Sequence, residues 1–370
     1  MKLFVVAGEK SGDKQGALLI RELQARCPGI EIKGLGGSAM HALAPAVEDW
    51  AEKAGVVGLV DVLRHIGFFA KRLREMTERI VTEQPDGLIL IDYPGFNQRL
   101  AERVRRRAPG VKIAYFIAPM VWAWHQGRIP KLAAVLDLML CTFPFEKPLF
   151  EAAGLRTEFV GHPLVDDILA KRRTGVRQPN LIGLFPGSRR REVERHFPIF
   201  CELVKACRRR HPEWRFKTSG SNPRLVATMQ RMAAAAGLAP EEVNITLGLY
   251  HDLMDEAEAA LVTSGTATLE SALHELPFGL VYRVNPLTFA IGRRLVKIQW
   301  LGMVNILINR SITTELLQGD FCVDKCIAEL ERLTSPEPRA QVLADMRESV
   351  SLLGHGGAAA KAAEAVLSLF

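Results

Sequence analysis

Leu181-Ile-Gly-Leu-Phe-Pro-Gly-Ser-Arg-Arg-Arg-Glu192 and Leu261-Val-Thr-Ser-Gly-Thr-Ala-Thr-Leu-Glu270 share one pattern. Each runs from a short apolar strand through a Gly/Ser turn into the start of a helix. Glycine lets such a turn fold tightly and brings backbone N–H groups close to a ligand. The helix start behind it carries partial positive charge and unpaired N–H donors. Two such units in one domain predict an α/β sheet that holds a phosphorylated ligand, with Arg189, Arg190 and Arg191 adding full charge. Taken singly, each turn is equally an ordinary strand–helix connection.

Working outward, the same strand–helix rhythm covers most of the chain. Strands are expected at 181–185, 215–218, 244–247, 259–263 and 278–282, with helices between them. Residues 171–179 are basic and polar and read as an interdomain linker. Upstream, strands are expected at 2–7, 30–35, 87–91, 112–117, 136–141 and 158–160. The first of these leads into Gly8-Glu-Lys-Ser-Gly-Asp13, which is not the G-x-G-x-x-G of a dinucleotide fold, so a nicotinamide cofactor is not supported. The turn Asp92-Tyr-Pro-Gly-Phe-Asn97 sits at the C-terminal end of strand 87–91, the edge at which open parallel sheets bind ligands. Asp92 there is either a general base or a cap on the next helix. The loop 118–131 gathers Trp122, Trp124, His125 and Arg128 and is expected to face a ligand. Residues 356–370 read as a terminal helix.

Length and composition narrow the class. A chain of 370 residues exceeds one typical core, so two domains are expected. No run reaches the roughly 18–20 apolar residues of a membrane span, and the start of the chain is too short for a signal peptide. The six cysteines are scattered without a C-x-x-C pair, which fits free thiols in a reducing cytosol and no zinc site. The net charge of +7 favours anionic partners. Its clusters, such as 103–107 and 208–210, read as solvated helix faces and lack the interleaved aromatics of a nucleic-acid binder. Residues 55–79 combine Val62, Leu63, Ile66, Phe68 and Phe69 with Arg64, Lys71 and Arg72. This stretch is either a buried crossover helix or a surface that meets lipid. No D-x-D follows a strand, so no metal is expected at the site.

An ordered set of motifs then resembles one family, the lipid-A-disaccharide synthases. The set is Ala7-Gly-Glu-Lys-Ser-Gly-Asp13, Asp92-x-Pro-x-Phe-Asn97, Val121-Trp-Ala-Trp124 with Gly127-Arg128, Pro144-Phe-Glu146, Gly161-His-Pro163, Pro186-Gly-Ser-Arg189, Ser264-Gly-Thr-Ala-Thr-Leu-Glu270 and Tyr282-Arg-Val-Asn-Pro286. It spans nearly the whole chain. Two departures are visible: Gly95 stands where the family often has a second Asp, and Lys10 stands where a small residue is commoner.

The resemblance implies a GT-B glycosyltransferase, with two doubly wound Rossmann-like α/β domains facing across a cleft. Residues 1–170, completed by a C-terminal helix at 345–370, would take the acceptor and the lipid side. Residues 171–344 would bind the UDP-sugar donor. The implied reaction joins UDP-2,3-diacylglucosamine to 2,3-diacylglucosamine 1-phosphate with inversion, giving the β-1′,6-linked disaccharide phosphate and UDP. It needs no cofactor. Asp92 is the expected base, with Glu9 and Asp13 as competitors. Ser188, Arg189, Ser264, Gly265, Thr266, Thr268, Glu270, Asn305 and Gln318 are expected on the donor. Ser11, Trp122, Arg128, Val62, Leu63, Ile66, Phe68 and Phe69 are expected at the acceptor or the lipid surface. The implied setting is peripheral, on the cytoplasmic face of the inner membrane, and the family forms dimers that exchange C-terminal parts. The rival readings are another UDP-sugar enzyme of the same fold, such as a soluble-acceptor glycosyltransferase or a UDP-N-acetylglucosamine epimerase, and a nucleic-acid binder.

Overall fold

The computed structural model describes residues 1–51, 66–295 and 298–370. The chain divides into two compact units, Met1–Asp166 with Leu353–Phe370, and Asp167–Leu352. Both are doubly wound parallel sheets covered by helices.

In the first unit the strands are β1 (Lys2–Ala7), β2 (Glu31–Gly36), β3 (Val47–Asp49), β4 (Gly87–Ile91), β5 (Lys112–Phe116), β6 (Leu138–Cys141) and β7 (Thr157–Phe159), in the order β3-β2-β1-β4-β5-β6-β7. The order reverses between β1 and β4, which pair in parallel with Ala7 opposite Ile91. Residues 8–9 and 92–93 therefore leave the sheet side by side, at the switch point where such sheets bind ligands. Every residue of β4 is buried, which explains its unbroken apolar run: helices cover both faces of a parallel sheet.

The terminal helix Ala358–Leu367 closes one of those faces. Its Ala362, Ala363 and Val366 share a core with Leu19, Ile20 and Leu23. The Phe370 ring occupies the space beside Gly87, where a Cβ would lie 2.5 Å from it. Asp166 anchors the return, its carboxylate accepting from the Gly357 amide at 2.7 Å. The preceding helix, Pro336–Ser351, lies in the second unit.

The second unit has β8 (Gln178–Phe185), β9 (Arg215–Gly220), β10 (Val243–Leu247), β11 (Ala257–Thr263), β12 (Phe278–Tyr282) and β13 (Glu315–Leu317), in the order β10-β9-β8-β11-β12-β13. Here the order reverses between β8 and β11, with Phe185 opposite Val262. The turns that follow Phe185 and Thr263 are thus neighbours at this switch point. The edge strands β3 and β13, absent from the sequence reading, are three residues each, too short to show a period.

Residues 171–179 are packed rather than slack. Arg177 donates to the carbonyls of Met254 at 3.0 Å, His274 at 2.8 Å and Glu275 at 3.1 Å. The Arg173 amide donates to Asp255 at 3.0 Å. The basic clusters are largely matched: Arg105 pairs with Asp137, Arg107 with Glu78, Arg208 with Glu242 and Arg210 with Asp324. All six cysteines are free thiols. Among the described residues no helix is long and apolar enough to cross a membrane.

Candidate active site

At the β1/β4 switch point, Asp92 and Tyr93 have φ of 46° and 51°. Two consecutive non-glycine residues in the left-handed region cost on the order of 1–3 kcal/mol each, so surrounding contacts must hold them there. Asn97 does so from the next helix, its amide donating to the carbonyls of Ile91 at 3.1 Å and Asp92 at 2.7 Å. The Tyr115 hydroxyl donates to the Asp92 carbonyl at 2.5 Å, and the Asp92 amide donates to Phe116 at 2.9 Å. Gly8 leaves room for the Tyr93 ring, since a Cβ on it would come within 2.3 Å. So held, the Asp92 carboxyl accepts from the Tyr93 amide in a largely desolvated place. Burial raises its pKa above the usual Asp value, and the nearby charge of Glu9 raises it further. The same two causes push the Tyr93 phenol up to about 12.

The other carboxylate of the loop is engaged elsewhere. Asp13 is buried, and its oxygens accept from the amides of Gly37 at 2.7 Å, Ala39 at 3.0 Å and Met40 at 3.0 Å. It thereby satisfies the unpaired donors at the start of the helix Ser38–Leu43. Glu9 and Ser11 are exposed.

The aromatic loop is divided. Trp122 is buried and donates from its indole to Glu146 at 3.0 Å. Burial raises the pKa of Glu146 to about 7, against the hydrogen bonds it accepts from Phe143, Trp122 and Thr142. Trp124 is 53% exposed. Arg128 is half-buried and donates to Gln98 at 2.9 Å. Phe68 and Phe69 are half-buried, both 6.3 Å from the Trp50 ring. Val62, Leu63 and the side chain of Ile66 lie outside the described residues.

At the β8/β11 switch point, Ser188 and Arg189 are exposed. The helix behind them, Arg190–Arg210, is capped by Glu192, which accepts from the amides of Ser188 at 3.1 Å and Arg189 at 3.2 Å and pairs with the Arg189 guanidinium at 3.1 Å. Gly187, at φ 112°, is required here, because a Cβ would meet the Glu192 carboxylate at 2.5 Å. The turn's amides are thus already answered by an internal carboxylate, and the free edge of the Arg189 guanidinium is what the loop offers an anion. Glu192 holds the third helical position of a capping box, but Arg189 stands at the cap where Ser or Thr would mark the box, so the sequence carries no such signature here.

The second turn is open. Gly265 has φ 147° with nothing near its Cα face, and no side chain caps the helix Thr266–Leu273. Its first amides are available to an anion. Thr268 is buried, bonding the Gly265 carbonyl at 2.9 Å, while Ser264 is half-buried and Thr266 exposed. Glu270 accepts from the Tyr250 hydroxyl at 3.1 Å. Burial raises the Glu270 pKa, and the charge on neighbouring His251 opposes that rise. His251 in turn meets His274 at 3.2 Å, and His274 meets Asp255 at 2.6 Å. Tyr250 and this histidine pair were not singled out from the sequence, because their partners lie on different elements of the sheet edge.

Asn305 and Gln318 serve the scaffold of the same edge. Asn305 is fully buried; its amide donates to Thr313 and Glu315, both at 3.0 Å, and its carbonyl accepts from Ile312 at 2.8 Å and Thr313 at 3.0 Å. Gln318 clasps Val284, accepting from its amide at 2.8 Å and donating to its carbonyl at 3.2 Å.

Comparison with known proteins meets this geometry. A family described as lipid-A-disaccharide synthetase matches residues 3–368. The chain belongs to that family. A lipid-A-disaccharide synthase from Geobacter sulfurreducens is 38% identical over 100% of this chain and 97% of its own length. One from Legionella pneumophila is 35% identical over 95% of this chain and 93% of its own. As a lipid-A-disaccharide synthetase family member, the chain is a glycosyltransferase of lipid A biosynthesis. In fold it is similar to a UDP-GlcNAc 2-epimerase from Neisseria meningitidis bound to UDP-GlcNAc, with a TM-score of 0.66 at 12% identity over 100% of both chains. It is likewise similar to a glycotransferase of kitacinnamycin, with a TM-score of 0.61 at 14% identity over 99% of this chain and 98% of that one. These likenesses give the GT-B fold expected of the family.

Proposed function

We propose that the chain transfers a 2,3-diacylglucosaminyl group from its UDP donor to the 6-hydroxyl of 2,3-diacylglucosamine 1-phosphate, with inversion. The observation that carries this reading is Asp92: a desolvated carboxyl with raised proton affinity, at a switch point, on a backbone strained into place. A general base works best when its pKa approaches the working pH. Asp92 takes the hydroxyl proton as the acceptor oxygen bonds to the anomeric carbon. The bond from that carbon to the diphosphate breaks, and its electron pair leaves on UDP. Arg189 and the open turn 264–268 offset the charge that develops there. Glu270, oriented by Tyr250, accepts from the ribose hydroxyls. Asp13, Asn305 and Gln318 act in this scheme by positioning the loops.

Both substrates carry acyl chains, so the reaction is placed at a membrane face, on the cytoplasmic side. The test is incubation with both acylated substrates and detection of the disaccharide phosphate by mass spectrometry. Turnover of unacylated sugars alone would instead assign a soluble-acceptor enzyme of the same fold.

A further inference from the structure

Two surface cavities of the molecule differ in how their charge is answered. In the first unit a cavity of about 320 Å³ is lined by Arg72, Arg79, Glu48 and Glu75. Those charges cancel: Arg72 pairs with Glu48 at 3.1 Å and with Glu75 at 3.2 Å, and Arg79 pairs with Glu48 at 2.5 Å. In the second unit a cavity of about 480 Å³ lies between the β8 turn and the helix Pro223–Ala235. Arg190, Arg224 and Arg231 line it together with Ser188, Asn222 and Thr228, and no carboxylate does.

The helix is built for this. Arg224, Ala227, Thr228 and Arg231 fall at i, i+3, i+4 and i+7, which places them on one face. Ala227 keeps the middle of that face open. The helix Pro223–Ala235 contains no acidic residue. Among the described residues Arg231 bonds only within its own helix, to Ala227 at 3.3 Å and Thr228 at 3.4 Å. Among the described residues, neither Arg224 nor Arg231 has a carboxylate partner, in a protein whose other arginine clusters are mostly paired. Arg190 is tied to Glu194 at 2.6 Å on its own helix and keeps the rest of its fork. The Asn222 oxygen, the one strong acceptor at this rim, is already used by the Leu225 amide at 3.0 Å. Apart from Arg190, which Glu194 holds, these donors converge without a carboxylate partner among the described residues, in a volume large enough for a ligand beyond a bare ion.

We propose that this cavity is a second anion site, flanking the loop proposed for the donor diphosphate and sharing only Ser188 with it, and that it takes a phosphate monoester group held in the forks of Arg224 and Arg231. Planar guanidinium groups suit that group better than ammonium does. The phosphate can come from a soluble phosphosugar head or from an anionic lipid headgroup. The site stands on its own lining and does not depend on the assigned substrates.

The test uses the full chain and the double variant Arg224→Gln, Arg231→Gln. Both positions are exposed on a helix surface, so folding is preserved, and a thermal melt confirms it. Three probes are titrated at low salt: glucosamine 1-phosphate, phosphatidylcholine vesicles with and without phosphatidylglycerol, and UDP. The expected result is a loss of about tenfold or more in affinity for the phosphosugar or for the anionic vesicles, with UDP affinity unchanged. Which of the two probes loses affinity identifies the source of the phosphate. The double Lys variant should recover only part of the binding. Equal binding by wild type and the Gln variant would overturn the proposal, as would failure of wild type to bind either phosphate probe. A parallel loss of UDP affinity would also overturn it, by merging the cavity with the donor site.

Discussion

At the β1/β4 switch point the chain presents Glu9 and Asp92; at the β8/β11 switch point it presents Arg189 and the uncapped turn 264–268. The sheets beneath are the same in kind, parallel and doubly wound, and both route two loops to one spot. What differs is where the anion and the cation stand. In the first unit a carboxyl is desolvated and pushed towards holding a proton. In the second, cations and open amides face outward around an internal carboxylate, Glu192, that partly occupies them. In the proposed scheme one architecture serves as a proton acceptor in one unit and an anion holder in the other, through the choice of a few loop residues.

That contrast can be broken most severely at Asp92. Asp92→Asn should keep the fold and the protection by UDP in a thermal melt, while turnover falls about 10²- to 10⁴-fold. Near-full turnover would remove Asp92 as the base. Next in size is Arg189→Ala. Charge-assisted hydrogen bonds contribute about 1.5–3 kcal/mol, so UDP affinity in a calorimetric titration should drop by about ten- to a hundredfold. Unchanged affinity would leave the turn 264–268 as the only anion holder. Tyr115→Phe removes the hydroxyl that steadies the Asp92 carbonyl. It should cost about 1 kcal/mol in a denaturant melt and lower turnover without altering UDP binding. If stability alone changes, the strained backbone is scaffold and not part of the site.

The smallest effect concerns pH. Asp92 accepts a proton only when ionised, so turnover should fall as pH drops through its raised pKa. The negative charge of Glu9 contributes to that rise. Glu9→Gln should therefore move the acid limb of the pH–rate profile to lower pH, by an amount smaller than the burial effect. A shift to higher pH would mean that Glu9 acts by another route.

Much of this contrast was legible in the residues. The strands at both switch points are continuous apolar runs ending in Gly, Ser or Asp, and burial on both faces makes such runs conspicuous. The loops that follow them were readable for the same reason. Two kinds of feature were hidden. Very short edge strands such as β3 and β13 carry no periodic signal. Side chains whose partners are remote in sequence do not announce their use. Asp13 sits in a motif beside Glu9, yet its partners begin 24 residues on, at Gly37. Asn305, expected at the donor from the family resemblance, is buried and bonded to Ile312, Thr313 and Glu315, a placement that its flanking residues do not announce. Tyr250 meets Glu270 20 residues away. Local pattern locates the edge of a sheet; it does not say which of the polar groups there are already spent on the fold.

The return of residues 353–370 to the first unit has a further consequence, for the order of assembly during translation. The second unit is one uninterrupted segment and can close as soon as it clears the ribosome. The first unit, though most of it is made earlier, is completed only by residues 353–370, which are synthesised after the second unit. Until the helix Ala358–Leu367 arrives, Leu19, Ile20 and Leu23 lack the cover that Ala362, Ala363 and Val366 provide. The first unit is therefore completed after the second, and until then the side chains of Leu19, Ile20 and Leu23 have no partner from that helix.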